Sequence, residues 1–260
     1  MPGSRSALLA PIAAILFGTF GASCGLLTDS GFQITDSGTT DSGTTDGGTT
    51  DSGTPDAGGP VGAPGDIAFV MFDANGTDSE GFCFVAIVEL AAGLQITFTD
   101  KDRILGIFQA DEGSWNWTAS TVVSPGTVVC ILGVAAGALT ASAGMVSSTQ
   151  RAGLSKTVEN LFALQGPITS PDVFLAGLAT NSVDSSMVGT PTTFDLSGTG
   201  LVVGQTAIDF GSDGIAFLQY TGPRTGQATM ADYRPLIHDA ANWSSGVVSA
   251  PPDTMAFTVP

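Results

Sequence analysis

Short apolar segments, separated by turns rich in Gly, Pro, Asp and Ser, follow one another along residues 64–260. The segment 94–99 alternates apolar and polar residues, which is typical of a half-exposed strand, whereas 82–90 is apolar on both faces until Glu89, as in a central strand. The pattern predicts strands at 65–72, 82–90, 94–99, 115–118, 127–133, 160–165, 172–176, 214–220 and 255–259. Strands at this spacing predict an all-β fold, an antiparallel β-sandwich that is immunoglobulin-like or related.

One segment near the C-terminus has helical periodicity. Apolar residues recur at helical spacing between Tyr233 and Ala240, and Thr229 followed by Asp232 is an N-cap signal. Pro235 is tolerated only in the first turn of a helix, so we expect the helix to begin near Asp232. The sequence therefore predicts one short C-terminal helix beside the strands.

The N-terminus has the layout of a bacterial export signal. Arg5 precedes an apolar run of 14 residues, 7–20, and small residues stand directly before Cys24. The run is short for a membrane-spanning helix, which needs about 20 residues. The segment 21–24 resembles a lipoprotein lipobox, in which the cysteine becomes the acylated first residue after cleavage. We predict a signal peptide at 1–23 and lipidation of Cys24; an ordinary signal that leaves a free thiol there is the alternative.

A tract with a five-residue period, Thr-Asp-Ser-Gly-Thr, follows the cysteine. These residues cannot bury enough apolar area to offset the entropy of ordering, so we expect residues 24–63 to form a disordered tether. A Ca²⁺-binding repeat is the alternative, although one carboxylate in five residues is sparser than in known acidic calcium loops. The chain is thus predicted to consist of the signal peptide, the lipidated tether and a β-sandwich domain at 64–260.

The charge of the domain limits its partners. Six of the 24 acidic residues and one of the seven basic residues precede residue 64, which leaves 18 acidic against 6 basic residues and a net charge of −12. An acidic surface repels phosphate backbones, so we expect no nucleic-acid partner. The charge is compatible with Ca²⁺, with basic partners or simply with solubility.

Acidic residues gather where two predicted strands meet one loop. Two of them end the strand 94–99 and two precede the strand 115–118, so the loop can bring them together; they are Asp100, Asp102, Asp111 and Glu112. Carboxylates on a loop suit Ca²⁺, which makes these residues the candidate metal ligands. The competing interpretation is that Lys101 and Arg103 neutralise the same groups. We expect no other cofactor.

Nucleophilic catalysis has little support in the sequence. His238 is the only histidine, and neither a G-x-S-x-G nor an H-E-x-x-H motif is present. We therefore expect no catalytic residues. Trp115 and Trp117 fall on one face of a predicted strand, where they belong to the core unless one of them is exposed for carbohydrate stacking.

Cys83 and Cys130 both lie in apolar strand segments. Export brings the chain to a compartment where thiols can be oxidised, and with Cys24 acylated these two cysteines suffice for one disulfide. The alternative is that each is a small buried hydrophobic residue. The sequence leaves the two possibilities open, because it does not fix the two strands as partners.

Several segments resemble a family of bacterial extracellular β-domains, which open with a Gly-Asp-Ile-Ala-Phe strand and carry a Phe-Thr-Asp strand end followed by a Trp-x-Thr strand. The segments in this chain are Gly-Asp-Ile-Ala-Phe-Val at 65–70, Phe-Val-Ala-Ile-Val at 84–88, Ile-Thr-Phe-Thr-Asp at 96–100, Trp-Asn-Trp-Thr at 115–118, Gly-Pro-Arg-Thr-Gly at 222–226 and Ala-Asn-Trp at 241–243. More distantly, the chain is similar to the immunoglobulin-like lamin-tail domain. The resemblance implies a β-sandwich and an exported location, and it attaches no activity.

Together these features predict a non-enzymatic, surface-anchored β-sandwich module for adhesion, envelope structure or ligand capture. The alternative is a Ca²⁺-dependent carbohydrate-binding or hydrolytic extracellular domain that uses the four carboxylates. The expected partners are the membrane, through the lipid anchor, and a protein or glycan ligand. The expected location is the outer membrane or the cell surface.

Acylation of Cys24 is directly testable. Metabolic labelling with a fatty-acid analogue should mark the wild-type chain and not the Cys24→Ala variant, because Cys24 is the cysteine that directly follows the predicted cleavage site. Cys83→Ala, which keeps Cys24, is the matched control and should be labelled like the wild type. Equal labelling of the Cys24→Ala chain would show that the chain is not a lipoprotein.

Overall fold

The computed structural model of the protein describes residues 62–76, 80–110, 112–135, 137–182 and 192–260. The predicted signal peptide, Cys24 and the tether up to residue 61 lie outside the described residues. The strands, numbered β1 to β14 in chain order, are Ile67–Asp73, Gly81–Ala86, Gln95–Thr99, Arg103–Ile104, Ile107–Phe108, Ser114–Thr118, Val128–Leu132, Thr140–Ala141, Met145–Gln150, Asn160–Gln165, Val173–Ala179, Ala207–Asp209, Phe217–Tyr220 and Trp243–Gly246.

Twelve of these strands form two six-stranded sheets. The first sheet has the order β14-β13-β1-β2-β7-β8, and the second has the order β12-β11-β10-β3-β6-β9. Strands β4 and β5 form a separate two-stranded hairpin. The predicted all-β sandwich is therefore confirmed. One pair departs from the antiparallel prediction, because β12 lies parallel to β11.

The core lies between the two sheets and is built from aromatic residues. Phe69 and Phe82 of the first sheet meet Phe98 of the second at ring-centre distances of 6.1 and 4.9 Å. Trp115 and Trp117 continue this aromatic layer, with ring centres 5.8 Å from Phe82 and 5.3 Å from Phe84, respectively. Both tryptophans are fully buried, so neither offers an exposed ring for stacking on a sugar.

Both sheets also bury apolar side chains on their outer faces. In β2, Phe82 and Phe84 point into the core between the sheets, whereas Cys83 and Val85 belong to a second buried cluster. This alternation follows from the two-residue period of a strand, and it explains why the segment reads as apolar at every position. A helical turn and the C-terminal segment cover that outer face through Tyr233, Ile237 and Phe257.

The predicted helix is shorter than its periodicity indicated. The α-helix α1 spans Arg234–Ile237 and is preceded by a 3-10 helix at Met230–Tyr233. The N–H of Thr229 donates to Asp232 Oδ2 at 2.9 Å, so the predicted N-terminal cap is present. Pro235 lies in the first turn of α1, where its missing N–H removes no helical hydrogen bond.

The structure lacks one predicted strand and contains strands that the sequence pattern did not predict. The strand expected at 255–259 is absent from the described fold, because Phe257 donates its N–H to the turn residue Gly126 rather than to a strand. The strand β9 was not predicted, because its last four residues, Ser-Ser-Thr-Gln, have no apolar face. β9 lies at the edge of its sheet, where half-exposed polar residues are tolerated.

Cys83 and Cys130 are joined by a disulfide in the structure. They face each other directly in the register of β2 and β7, with their Cα atoms 4.0 Å apart. The bond lies on the outer face of the first sheet, within the cluster that the helical turn covers. The sequence left this pairing open, and it follows from the fact that β2 and β7 are hydrogen-bonded neighbours.

Loss of this disulfide should destabilise the domain. In a Cys24→Ala background, replacing both remaining cysteines by Ala should lower the free energy of unfolding by about 2–4 kcal/mol, because the bond closes a long loop in the unfolded chain. Urea unfolding without reductant measures the difference. Thiol titration of the unfolded, unreduced Cys24→Ala protein should find no free thiol, and two free thiols would reject the bond.

Candidate functional site

The loop between β3 and β6 contains the acidic residues that the sequence singled out. β3 and β6 are antiparallel neighbours, so residues 100–113 close over the end at which β3 finishes and β6 begins. Asp111 lies outside the described residues. Asp102 and Glu112 do come together, since the backbone N–H of Asp102 donates to Glu112 Oε2 at 2.6 Å.

The described acids accept hydrogen bonds from the protein. Asp102 Oδ1 accepts from the side-chain amide of Asn160 at 2.8 Å, and Asp100 accepts from the backbone N–H of Gly113. Among the described residues, no group of three or more His, Cys, Asp or Glu side chains is arranged to hold a metal ion. Their geometry therefore lends the calcium assignment no support, and that assignment stays a prediction.

Glu159 is a further acid of this cluster, and sequence reasoning missed it. Glu159 stands directly before β10, which pairs with β3, so the strand pairing brings it to the same end of the sheet as Asp100. It is buried and accepts from the backbone N–H groups of Ser155 and Asn160. A glutamate at the start of an apolar strand was the available signal, but the sequence did not show which strand β10 would join.

The pKa values of Asp100 and Glu159 are raised. Burial, and after it the negative charge of Glu112, raise the pKa of Asp100 to about 7. Burial raises the pKa of Glu159 well above its ordinary value, and the charges of Asp100 and Glu112 act in the same direction. Near neutral pH this end of the sandwich therefore carries less negative charge than its composition implies.

The hairpin formed by β4 and β5 projects from the same loop. Its turn is made by Leu105 and Gly106, both in the left-handed region, with φ values of 50° and 80°. Leu105 is the only non-glycine residue with positive φ among the described residues, and its side chain is 89% exposed. Backbone strain of this kind, of order 1–3 kcal/mol, persists where surrounding contacts enforce it.

Those contacts come from Asp195. Its Oδ2 accepts from the backbone N–H of Gly106 at 2.7 Å, and its backbone carbonyl accepts from the Arg103 guanidinium. The backbone N–H of Arg103 in turn donates to the carbonyl of Thr193 at 2.8 Å. The hairpin is thus fixed to the segment that runs beside it, and it presents two exposed apolar side chains, Leu105 in the turn and Ile107 at the start of β5.

A cavity of about 420 Å³ lies beside the hairpin, on the outer face of the second sheet. Phe108 forms one wall, and its ring centre lies 5.4 Å from that of Phe162 and 6.0 Å from that of Phe174. Further apolar lining comes from Ile107, Ile168, Pro171 and Phe174. We call this space the hairpin cavity. Its size falls within the usual range of small-molecule sites, about 300–1,000 Å³.

Two buried cations line the hairpin cavity. Lys101 Nζ donates to the carbonyls of Ala110 and Glu112 and to Gln150 Oε1, at 3.0, 2.8 and 2.9 Å. The Arg103 guanidinium carbon lies 5.2 Å from the centre of the Phe174 ring. Neither cation forms an ion pair with a carboxylate among the described residues. The expectation that Lys101 and Arg103 neutralise the neighbouring acids stays a prediction: the charge of Lys101 lowers the pKa of Asp100, and that of Arg103 lowers the pKa of Asp195.

His238 lies away from this site, at the end of α1. Its Nδ1 is 2.7 Å from the carbonyl oxygen of Arg234, and the ring is buried. Burial lowers the pKa of His238 to about 4, so the imidazole is neutral over the physiological range. It serves as a satisfied structural side chain.

Comparison of the chain with protein-family models, curated proteins and solved structures found no match. The resemblance to bacterial extracellular β-domains therefore stays a prediction. Among the described residues, no helix has the length and apolar character needed to cross a membrane.

The raised pKa of Asp100 predicts an unusual pH dependence of stability. The folded chain binds a proton at Asp100 below about pH 7, whereas the unfolded chain does so only near 3.8. The free energy of unfolding should therefore rise as the pH falls through 7. Between about pH 8 and pH 7.5, where His238 is almost entirely neutral in both states, this rise is free of the opposing contribution of the histidine.

Thermal unfolding of Asp100→Asn across this interval tests the assignment. The variant has no charge to bury, so at about pH 8 it should melt several degrees above the wild type, and the difference should shrink as the pH falls. Glu89→Gln, which removes an exposed acid, is the matched control and should follow the wild-type profile. Parallel profiles for wild type and Asp100→Asn would show that Asp100 is ionised throughout.

Proposed function

We propose that this chain is a non-enzymatic, surface-anchored module whose β-sandwich captures a small apolar ligand in the hairpin cavity. Of the three roles expected from the sequence, ligand capture is the one for which the fold offers a specific site. The observation that carries the proposal is the hairpin cavity itself, which combines aromatic walls with a few polar groups.

The position of the hairpin cavity supports capture by a preformed site. Its floor is the apolar outer face of the second sheet, where Phe162 and Phe174 pack against each other at 5.9 Å. Its rim is the hairpin, held by Asp195 on the side of the turn. A ligand that enters would bury Ile107, which is 67% exposed, and would not require the sandwich to open.

Two observations support a role without catalysis. The imidazole of His238 is buried and bonded to the backbone of its own helical turn, away from the hairpin cavity. The acids of the neighbouring loop accept hydrogen bonds from protein N–H groups, as Asp102 does from Asn160. Neither arrangement presents a base next to a nucleophile, which acyl or glycosyl transfer would require.

The disulfide supports the exported location that the proposal assumes. Disulfides persist in oxidising compartments and are rare in the cytosol. Cys83 and Cys130 pair on the outer face of the first sheet, whereas the hairpin cavity lies on the outer face of the second. Their bond therefore stabilises the scaffold and leaves the site free. A lipid at Cys24 and an acidic tether would hold such a scaffold at a distance from the membrane.

Binding of a neutral fluorescent probe tests ligand capture. Phenylnaphthylamine should bind the full-length Cys24→Ala chain, which lacks acyl chains that would compete for the probe. Thr169→Trp places a bulky side chain in the lining of the hairpin cavity at an exposed position, so it should abolish binding without affecting the fold.

Thr121→Trp is the matched control. Thr121 is equally exposed and lies beyond the C-terminal end of β6, whereas the hairpin cavity adjoins the loop before the N-terminal end of that strand. The control should bind the probe like the parent chain. Undiminished binding to Thr169→Trp, or no binding to the parent chain, would contradict capture at this site.

A further inference from the structure

We infer that the ligand of the hairpin cavity is an organic anion, an aromatic or aliphatic body that carries one acidic group such as a carboxylate. The inference rests on the proposed function and adds the chemical class of the ligand. The observation that carries it is the charge of the lining. Among the described lining residues, the two charged side chains, Lys101 and Arg103, are both positive.

Lys101 and Arg103 are buried, at 7% and 6% exposure. A buried charge is costly unless an opposite charge or a full set of hydrogen bonds compensates for it. Lys101 donates to three neutral oxygens, which satisfies its hydrogen bonds but leaves its charge without a paired carboxylate. An anion held in the hairpin cavity would supply the missing negative charge.

Arg103 has the Asp195 carboxylate near it but no ion pair with it, and its hydrogen bonds are incomplete. Its guanidinium donates to the backbone carbonyl of Asp195 and lies over the ring of Phe174, while its Nε is buried and has no hydrogen-bond partner. Contact with an aromatic face stabilises a cation less than a network of charge-assisted hydrogen bonds does. The guanidinium therefore gains more from an anionic ligand than from a neutral one of the same shape.

The remainder of the lining specifies the other half of the ligand. Phe108, Phe174, Ile168 and Pro171 offer apolar walls that exclude water from an apolar body. A compact, strongly hydrated anion such as inorganic phosphate would leave these walls unused. The combination of apolar walls with two cations thus selects an amphiphilic acid.

The acidic surface of the domain acts against this preference at long range. The net charge of −12 repels anions, and Asp102 and Asp195 lie close to the cations. At physiological ionic strength the charges farther away than about 8 Å are largely screened. The nearby Asp102 and Asp195 do not line the hairpin cavity, whereas Lys101 and Arg103 do, so a ligand inside it contacts the cations. The same repulsion excludes polyanions, because they are too large to enter the hairpin cavity and would lie against the acidic surface of the domain.

Two probes with the same apolar body test the inference. Anilinonaphthalenesulfonate carries a sulfonate on the phenylnaphthylamine body, so the comparison isolates the anion. The full-length Cys24→Ala chain should bind the anionic probe about tenfold more tightly than the neutral one, as expected for one charge-assisted interaction. The Thr169→Trp variant should bind neither.

Arg103→Gln removes one lining cation and keeps hydrogen-bonding capacity. It should lose most of the preference for the anionic probe, with little change in binding of the neutral probe. Lys156→Gln removes an exposed cation that does not line the hairpin cavity, and it should retain the preference. If Arg103→Gln does not fold, the affinity ratio of the two probes on the parent chain and its decrease with added salt decide the question.

The outcomes separate the inference from the proposed function. Equal affinity for both probes, or tighter binding of the neutral one, with both lost in Thr169→Trp, would overturn the anionic ligand and leave ligand capture standing. Binding of neither probe in the hairpin cavity would overturn both. A preference for the anionic probe that Arg103→Gln leaves unchanged would also overturn the inference, because the charge would then act from elsewhere.

Discussion

The aromatic layer between the two sheets is the constraint on which the rest of the structure depends. Phe69, Phe82, Phe84 and Phe98 fill the space between the sheets together with two buried tryptophans, and edge-to-face contacts connect most of them. In a strand, successive side chains point to opposite faces, so each residue that points into this layer places the next residue on the outer face of its sheet. Because those neighbours are also apolar, each sheet requires a second cover on its outer face.

The two outer faces are covered differently, and the difference produces the candidate site. A helical turn and the C-terminal segment seal the first sheet, with Tyr233 and Phe257 in T-shaped contact at 5.1 Å. Loops cover the second sheet, among them the hairpin that contributes Phe108. The loops leave a space of about 420 Å³ above Phe174. The hairpin cavity is thus a consequence of an incomplete cover over an apolar sheet face.

At this end of the sandwich, acidic and basic side chains alternate along the short segment 100–103 and have different surroundings. Asp100 and Asp102 are engaged by Gly113 and Asn160, whereas Lys101 and Arg103 line the hairpin cavity. Residues that alternate in sequence have separate environments when the backbone is extended. On the acidic side, burial and the charge of Glu112 raise the pKa of Asp100, whereas the cations lie on the side of the hairpin cavity.

Much of the scaffold followed from the sequence, because apolar segments bounded by turn residues define strands locally. The strand Asn160–Gln165 matches its prediction residue for residue. The hairpin β4–β5 was missed because its strands have two residues each, and the apolar run Ile104–Phe108 was the signal that could have found it. The cluster with Glu159 and the disulfide depend on which strands become neighbours, and a local pattern does not contain that information.

A titration followed by NMR tests whether the hairpin cavity binds a ligand. Amide chemical shifts of the full-length Cys24→Ala chain, recorded while naphthoate is added, report on every part of the surface at once. The account predicts that the shifts change along 101–110 and 168–174, with Arg103, Phe108 and Phe174 among the most affected. Changes confined to another surface, such as the edge strand β9 or the exposed Val247 and Val248, would contradict the account.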